Sequence, residues 1–338
     1  MYRFIRPLLF KIDPERAHSL TISLLRMVGA VSPLRNMLRR YYRAPHKPVH
    51  VFGLEFPNPV GLAAGYDKDG SAWKGAAMLG FGHIELGTVT LRPQPGNPKP
   101  RVFRLPAERA LINRMGFPSR GAHFVADQIA GSRPHHLILG VNLGKNASTP
   151  IEAAGGDYQE LMRIFAPKAD YLAINVSSPN TVGLRRLQAR TELNSLLSSL
   201  VVERELISAK LDRNIPLLVK LAPDLSIAEL DDALDVVLAN NLDGVIATNT
   251  TIARPGVKSA LAAQVGGLSG APLHPMSVRM VEHINHVTDG KLPIIGVGGV
   301  MDADDTKKML AAGAVLVQLY TGLVYGGPGL VKSIISSL

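Results

Sequence analysis

The chain has 338 residues, 46% of them hydrophobic, and a formal net charge of +10. It has no cysteine, which excludes disulfides, thiolate-held zinc, cysteine-held iron–sulfur clusters and a cysteine nucleophile. No run of about 18 apolar residues is present, so no membrane-crossing helix is expected, and the N-terminus lacks the apolar core and cleavage site of a secretory signal.

Residues 1–43 break from the rest and are expected to form a separate helical segment, with residues 44–338 as the main domain. They hold nine basic side chains against two acidic ones, so most of the net charge lies here. Asp13-Pro14 reads as the N-cap and first residue of a helix. Ala17, Leu20, Thr21, Leu24, Leu25 and Val28 follow at helical spacing, and Gly29 can end it. Phe4, Leu8, Leu9 and Ile12 mark an earlier short segment. Amphipathic helices with basic edges suit a membrane surface, where arginine meets anionic lipid. They equally suit the flank of the following domain.

From residue 57 short apolar runs recur: 59–63, 84–86, 137–141, 171–174, 216–221, 244–247, 293–297 and 315–319, interrupted only by Glu85 and Lys220. Strands buried on both faces read this way, which favours a parallel sheet. Helical patterns lie between them, at 193–211, 227–240 and 304–312. Asp157, Thr191 and Ser226 are plausible N-caps, and Glu229 completes a capping box with Ser226. Eight such units predict an α/β fold, a (β/α)8 TIM barrel with an N-terminal helical extension; a doubly wound open sheet is the rival. The connection from Thr88 to Arg120 holds six prolines and little helical period, and a loop of that length suits a lid or site wall.

In a barrel the loops after the strands build the site. Those ends carry Ala63 to Lys68, Thr88, Asn142, Asn175 with Ser178 to Asn180, Lys220, Thr248 to Thr251, Gly296 to Gly299 and Tyr320 to Gly322. The last two segments match the phosphate site of this fold, and Gly266 to Gly270 can close it. Apart from Asp67 no histidine or carboxylate stands at a strand end, so neither metal-assisted hydrolysis nor a carboxylate pair is supported, and no metal is expected. Asparagines suit an imide or amide ring, and lysines suit an anion. Lys220 would be poorly solvated unless paired with charge. A phosphate-bearing ring cofactor that becomes anionic on reduction, FMN, fits both lysines.

Seven motifs in order resemble dihydroorotate dehydrogenases of the class 2, quinone-using branch. They are Gly61-Leu-Ala-Ala-Gly-Tyr-Asp-Lys-Asp-Gly70, Arg92-Pro-Gln-Pro-Gly-Asn-Pro98, Arg101-Val-Phe-Arg-Leu-Pro106, Asn113-Arg-Met-Gly-Phe117, Asn175-Val-Ser-Ser-Pro-Asn-Thr181, Gly266-Gly-Leu-Ser-Gly270 and Ile295-Gly-Val-Gly-Gly299. The resemblance spans essentially the whole chain. It implies oxidation of (S)-dihydroorotate to orotate in pyrimidine biosynthesis, with FMN taking the hydride and ubiquinone or menaquinone as final acceptor.

The resemblance also implies residue roles. FMN would contact Ala64, Gly65, Tyr66, Asp67 and Lys68 after the first strand. It would also contact Thr88, Asn142, Asn175, Lys220 and Thr248, and the phosphate end Gly270, Gly299, Tyr320 and Thr321. Dihydroorotate would be held by Lys68, Asn113, Asn175, Asn180, Asn249 and Thr250, with Arg114, Met115, Gly116 and Phe117 around it. Ser178 would be the catalytic base, where class 1 members use cysteine. Thr181 and Phe117 stand at the family's proton-relay and lid positions, and Lys220 would stabilise charge on the reduced flavin. His18, Arg104 and Tyr320 match the quinone tunnel. Tyr66 stands where leucine or phenylalanine is common. The extension then reads as a peripheral anchor on the cytoplasmic face of a bacterial inner membrane, with no nucleic acid and no obligate protein partner. A class 1 enzyme using fumarate or a nicotinamide, a non-redox phosphate-binding barrel and a basic surface-binding module are the other readings.

Overall fold

The computed structural model describes residues 2–131, 133–134 and 137–338. Eight parallel strands close into a barrel: Val60–Leu62, His83–Val89, Ile138–Leu143, Tyr171–Asn175, Leu217–Leu221, Gly244–Ala247, Ile294–Val297 and Leu316–Leu319. Each coincides with one of the eight apolar runs, and each strand is almost wholly buried. The reason is geometric: helices cover the outside while side chains fill the inside, so neither face of a strand meets water. The last strand closes on the first through pairs such as Val317 with Val60.

The floor of the barrel is sealed by a hairpin, Val49–Val51 with Leu54–Phe56, which the sequence analysis did not anticipate. Phe52 and Gly53 take left-handed φ values of +59° and +72°, as a two-residue hairpin turn demands. Phe56 is fully buried against the His83 ring, 5.3 Å away edge to face. His83, the first residue of its strand, thus sits at the end opposite the loops that build a barrel site.

Helix starts are partly as expected. Ser226 accepts from the Glu229 N–H at 3.3 Å while Glu229 accepts from the Ser226 N–H at 2.8 Å, a full capping box. Asp157 and Thr191 are not caps: they lie inside Ala154–Phe165 and Arg190–Leu211. The Asp157 carboxylate instead accepts from the Asn146 N–H and the Thr149 hydroxyl, at 2.8 and 2.7 Å, and fixes the loop after the third barrel strand.

The long proline-rich connection is not structureless. It contains Val102–Leu105 and Ala110–Asn113, which pair antiparallel with each other, and Ala110–Asn113 pairs antiparallel with Gly267–Gly270 on its other side. This small sheet rises from the same end of the barrel as the strand-end loops.

Three helices precede the hairpin: α1 (Tyr2–Leu9), α2 (Pro14–Ala30) and α3 (Ser32–Tyr42). Asp13 caps α2 by accepting from the Glu15 and Arg16 N–H groups at 3.1 and 3.0 Å. Gly29 does not end α2, which runs to Ala30. A side chain there would stand 2.9 Å from the backbone nitrogen of Gly75, so Gly29 permits a close helix crossing. The helices leave Phe4 at 84%, Leu8 at 64% and Met37 at 59% exposure, an apolar face uncovered by the protein. Among the described residues no helix is long and apolar enough to cross a membrane.

Candidate active site

The strand-end loops converge on a polar cavity of about 140 Å3. Most of the expected residues border it: Ala64, Gly65, Lys68, Thr88, Asn113 and Met115; Gly116, Phe117, Asn175, Ser178 and Asn180; Lys220, Thr248, Asn249, Thr250, Gly299, Tyr320 and Thr321. Tyr66, Asp67, Arg114, Asn142, Thr181 and Gly270 do not border it. The Asp67 carboxylate turns away and accepts from the Ser71 and Ala72 N–H groups at 2.9 and 2.8 Å. Burial raises its pKa to about 6, against the pull of those same amides. Arg114 reaches outward to Gln264 at 2.8 Å.

Asn142 stands behind the wall. Its Oδ1 accepts from the Asn175 Nδ2 at 3.0 Å and from the Thr88 hydroxyl at 2.6 Å. Its Nδ2 donates to Glu85 at 2.8 Å. Glu85 also accepts from the Tyr171 hydroxyl and from Gln318, at 3.0 and 2.8 Å. A buried carboxylate with three donors is a fixed anion in the barrel interior. Sequence reasoning missed its role and that of Gln318, which also borders the cavity. The one visible signal was a charge inside an otherwise apolar strand.

Lys220 is buried and faces this same interior. Its ammonium has no hydrogen-bond partner among the described residues. Desolvation lowers its pKa, and the Glu85 charge opposes the shift. Lys68 loses hydration too, which brings its pKa down to about 8 despite the nearby Asp69. Two lysines with weakened hydration at one cavity wall favour an anionic occupant.

Ser178 is buried, and its oxygen accepts from the Asn180 N–H at 3.2 Å. Its own proton is committed to no described partner. Thr181, also buried, has a hydroxyl without a partner among the described residues. Phe117 takes a left-handed φ of +52° following Gly116 at +69°, a tight turn over the same region.

Gly298 and Gly299 line the opposite end of the cavity, with Gly270 directly behind Gly299. Gly270, Gly298 and Gly299 have φ values of +98°, +123° and +74°. A side chain at Gly299 would run into the backbone of Gly270 and His274. The hydroxyls of Ser269 and Thr321 meet at 2.8 Å beside these turns. Exposed backbone N–H groups with two hydroxyls suit a phosphate.

A second, largely apolar cavity of about 310 Å3 lies between α1, α2 and the barrel. His18, Tyr66, Arg104 and Tyr320 border it. The rings of His18, Tyr66 and Tyr320 form an edge-to-face ladder with centroid spacings of 5.2 and 5.6 Å. Burial, with Lys68 nearby, lowers the His18 pKa to about 3, so the ring is neutral. Arg104 stacks over Phe10 at 4.3 Å and donates to the Phe10 carbonyl at 3.1 Å. Lys68, Asn113, Met115, Ser269 and Tyr320 border both cavities, so a single wall separates them.

A dihydroorotate dehydrogenase family model matches residues 47–338. A protein of Acidithiobacillus ferrooxidans named dihydroorotate dehydrogenase (quinone) is 48% identical across all of this chain and 94% of its own length. One of Coxiella burnetii with the same name is 45% identical over all of this chain and 96% of its own. Among solved structures, the DHODH of Eimeria tenella in complex with ferulenol superposes with a TM-score of 0.87 at 37% identity, covering 98% of this chain and 93% of that one.

Proposed function

The chain belongs to the dihydroorotate dehydrogenase family, and from that premise we propose that it oxidises dihydroorotate at the polar cavity with FMN and passes the electrons to a membrane quinone in the apolar one. The observation that carries this is the shared wall: a polar anion site and an apolar cavity meet at Lys68, Asn113, Met115, Ser269 and Tyr320. A redox cofactor placed at that wall would serve both sides.

The residues fit FMN. The glycine turns at 270, 298 and 299, with Ser269 and Thr321, would hold the phosphate. Ala64, Gly65, Thr88, Asn175, Lys220 and Thr248 would hold the ring. Bound there, FMN supplies a two-electron acceptor that gains negative charge on reduction. Lys220 supplies a fixed positive charge in a low-dielectric interior, where such preorganised charge is most effective.

Dihydroorotate carries a carboxylate and a cyclic imide. Lys68 meets the carboxylate. Asn113, Asn175, Asn180 and Asn249 offer donor and acceptor pairs to the ring, and Thr250 adds a hydroxyl. Ser178 removes the ring proton and Thr181 passes it on. A serine is a weak base by its own pKa, so it needs such a relay. The unpartnered Thr181 hydroxyl supports that assignment. Phe117 excludes water from the path.

His18, Arg104 and Tyr320 take the quinone, with Tyr66 between them. The exposed apolar face of α1 to α3, with its arginines, rests on the cytoplasmic side of a bacterial membrane and admits a lipid-soluble acceptor. Orotate formation coupled to reduction of a short-chain ubiquinone tests the proposal. Orotate formed only with fumarate or a nicotinamide would refute the quinone half, and no orotate with any acceptor would refute the whole.

A further inference from the structure

Arg101 is buried, and its donors are divided between two parts of the molecule. Nε and Nη2 reach the Glu15 carboxylate at 3.2 and 2.8 Å. Nη1 donates to the carbonyls of Pro95 and Asn97 at 2.7 and 2.9 Å. Glu15 lies in the first turn of α2, three residues before His18 at the apolar cavity. Pro95 to Asn97 belong to the Arg92 to Pro98 motif, which the reaction above leaves unused.

The contacts of that motif show what it can do. The Asn97 Nδ2 donates to the carbonyls of Arg114 and Asn180 at 3.0 and 3.3 Å. The Asn97 N–H donates to the Met115 carbonyl at 2.9 Å. Met115 and Asn180 border the polar cavity. A side chain on Gly116 would press on Asn97 at 2.6 Å, so the two loops interlock without slack.

We propose that Glu15 is a positioning residue for the pyrimidine half of the site, acting through Arg101 and Asn97 on the Arg114 to Phe117 turn and the Asn180 loop. This rests on the function proposed above and deepens it: the N-terminal segment governs substrate binding as well as access of the acceptor. The physical reason is the buried guanidinium. Its charge is balanced by Glu15, and a buried charge stripped of its partner is strongly unfavourable. Without Glu15, Arg101 gains by turning toward water, which releases the Pro95 and Asn97 carbonyls. Asn97 then no longer fixes the two loops that border the substrate.

The test compares Glu15→Gln, Asn97→Ala and the double variant with the parent, each as the flavin-loaded full chain. Orotate affinity is measured by calorimetry, and reoxidation of dithionite-reduced protein by a short-chain ubiquinone is followed by stopped flow. Amide hydrogen exchange at residues 114–117 and 178–181 is measured without ligand. Each single variant is expected to bind orotate about tenfold more weakly, and the double variant no more weakly than the worse single, because residues of one path are non-additive. Exchange at both segments should quicken in Glu15→Gln, and reoxidation should fall by less than orotate affinity does even though Glu15 itself borders the apolar cavity, because the Asn180 loop that is loosened borders the polar one alone. Unchanged orotate affinity with slowed reoxidation would overturn the proposal and leave Glu15 a simple anchor for α2. Additive losses in the double variant would overturn it too. Should Glu15→Gln not fold, Arg101→Lys keeps the charge, loses the fork and carries the same comparison. A parent that binds no orotate would sink the functional reading instead, while exchange at the two segments still decides whether Glu15 holds them.

Discussion

Asn175 donates from Nδ2 to Oδ1 of Asn142 at 3.0 Å, and Asn142 donates from its own Nδ2 to Glu85 at 2.8 Å. Asn175 borders the polar cavity and Asn142 does not. The orientation of a cavity-facing amide is therefore set by a residue that does not border the cavity. Asn142→Ala leaves a buried carboxylate and a buried amide short of partners. The expected loss of stability is about 2–3 kcal/mol, from the cost of unsatisfied buried groups. Urea unfolding of the parent and variant measures it, and a loss near zero would mean that water replaces the amide without penalty.

Ser178→Ala removes the proposed base and little else. General-base removal of this kind costs about 10²- to 10⁴-fold. The rate of flavin reduction by dihydroorotate in single-turnover mixing should fall by that amount, while flavin content stays at the parent level. A variant reducing flavin at the parent rate would place the base elsewhere.

Lys220→Ala should lower turnover more than it weakens substrate binding, by about 10²- to 10³-fold, as for other preorganised charges. Steady-state kcat and orotate affinity, measured side by side, separate the two. Normal turnover would end the role assigned to Lys220.

Lys68 sets a pH dependence with a definite sign. Desolvation lowers its pKa to about 8 in the protein without substrate. Below that pH the ammonium is present and supports binding of the anionic substrate. Above it, binding must take up a proton, so affinity falls by up to about tenfold per pH unit. Orotate dissociation constants between about pH 6.5 and 9.5 should be flat at the acid end and rise at the alkaline end. A flat profile throughout would remove Lys68 from anion recognition.

The exposed Phe4 and Leu8 make the membrane assignment testable. Replacing both with aspartate removes two side chains that would each contribute about 1.5–3 kcal/mol on entering lipid. Cosedimentation with phosphatidylglycerol vesicles should weaken at least about tenfold by that measure, while reduction of flavin by dihydroorotate is unchanged. Vesicle binding equal to the parent would show that α1 does not enter the bilayer.

The barrel was legible because parallel strands buried on both faces leave continuous apolar runs, and all eight runs are strands. The small sheet was not. Its strands are four residues long, and Gly267–Gly270 pairs with residues roughly 155 positions earlier, a distance that local periodicity does not register. Asp157 and Thr191 misled for a related reason: a helix can begin without a side-chain cap, and Asp157 is committed to the Asn146 loop instead. At the site, the residues at strand ends were legible because the fold itself points them inward. Glu85, Gln318 and Arg101 were not, because their importance lies in partners brought together by folding: Glu85 with Gln318, and Arg101 with Glu15.

The central claim is that one cofactor at the shared wall serves both cavities. Anaerobic absorption spectra of the purified protein, before and after dihydroorotate and then after a short-chain ubiquinone, test it most directly. The account predicts a flavin spectrum that bleaches with dihydroorotate and returns with the quinone. A colourless protein that fails to take up FMN, or a flavin that dihydroorotate leaves oxidised, would contradict it.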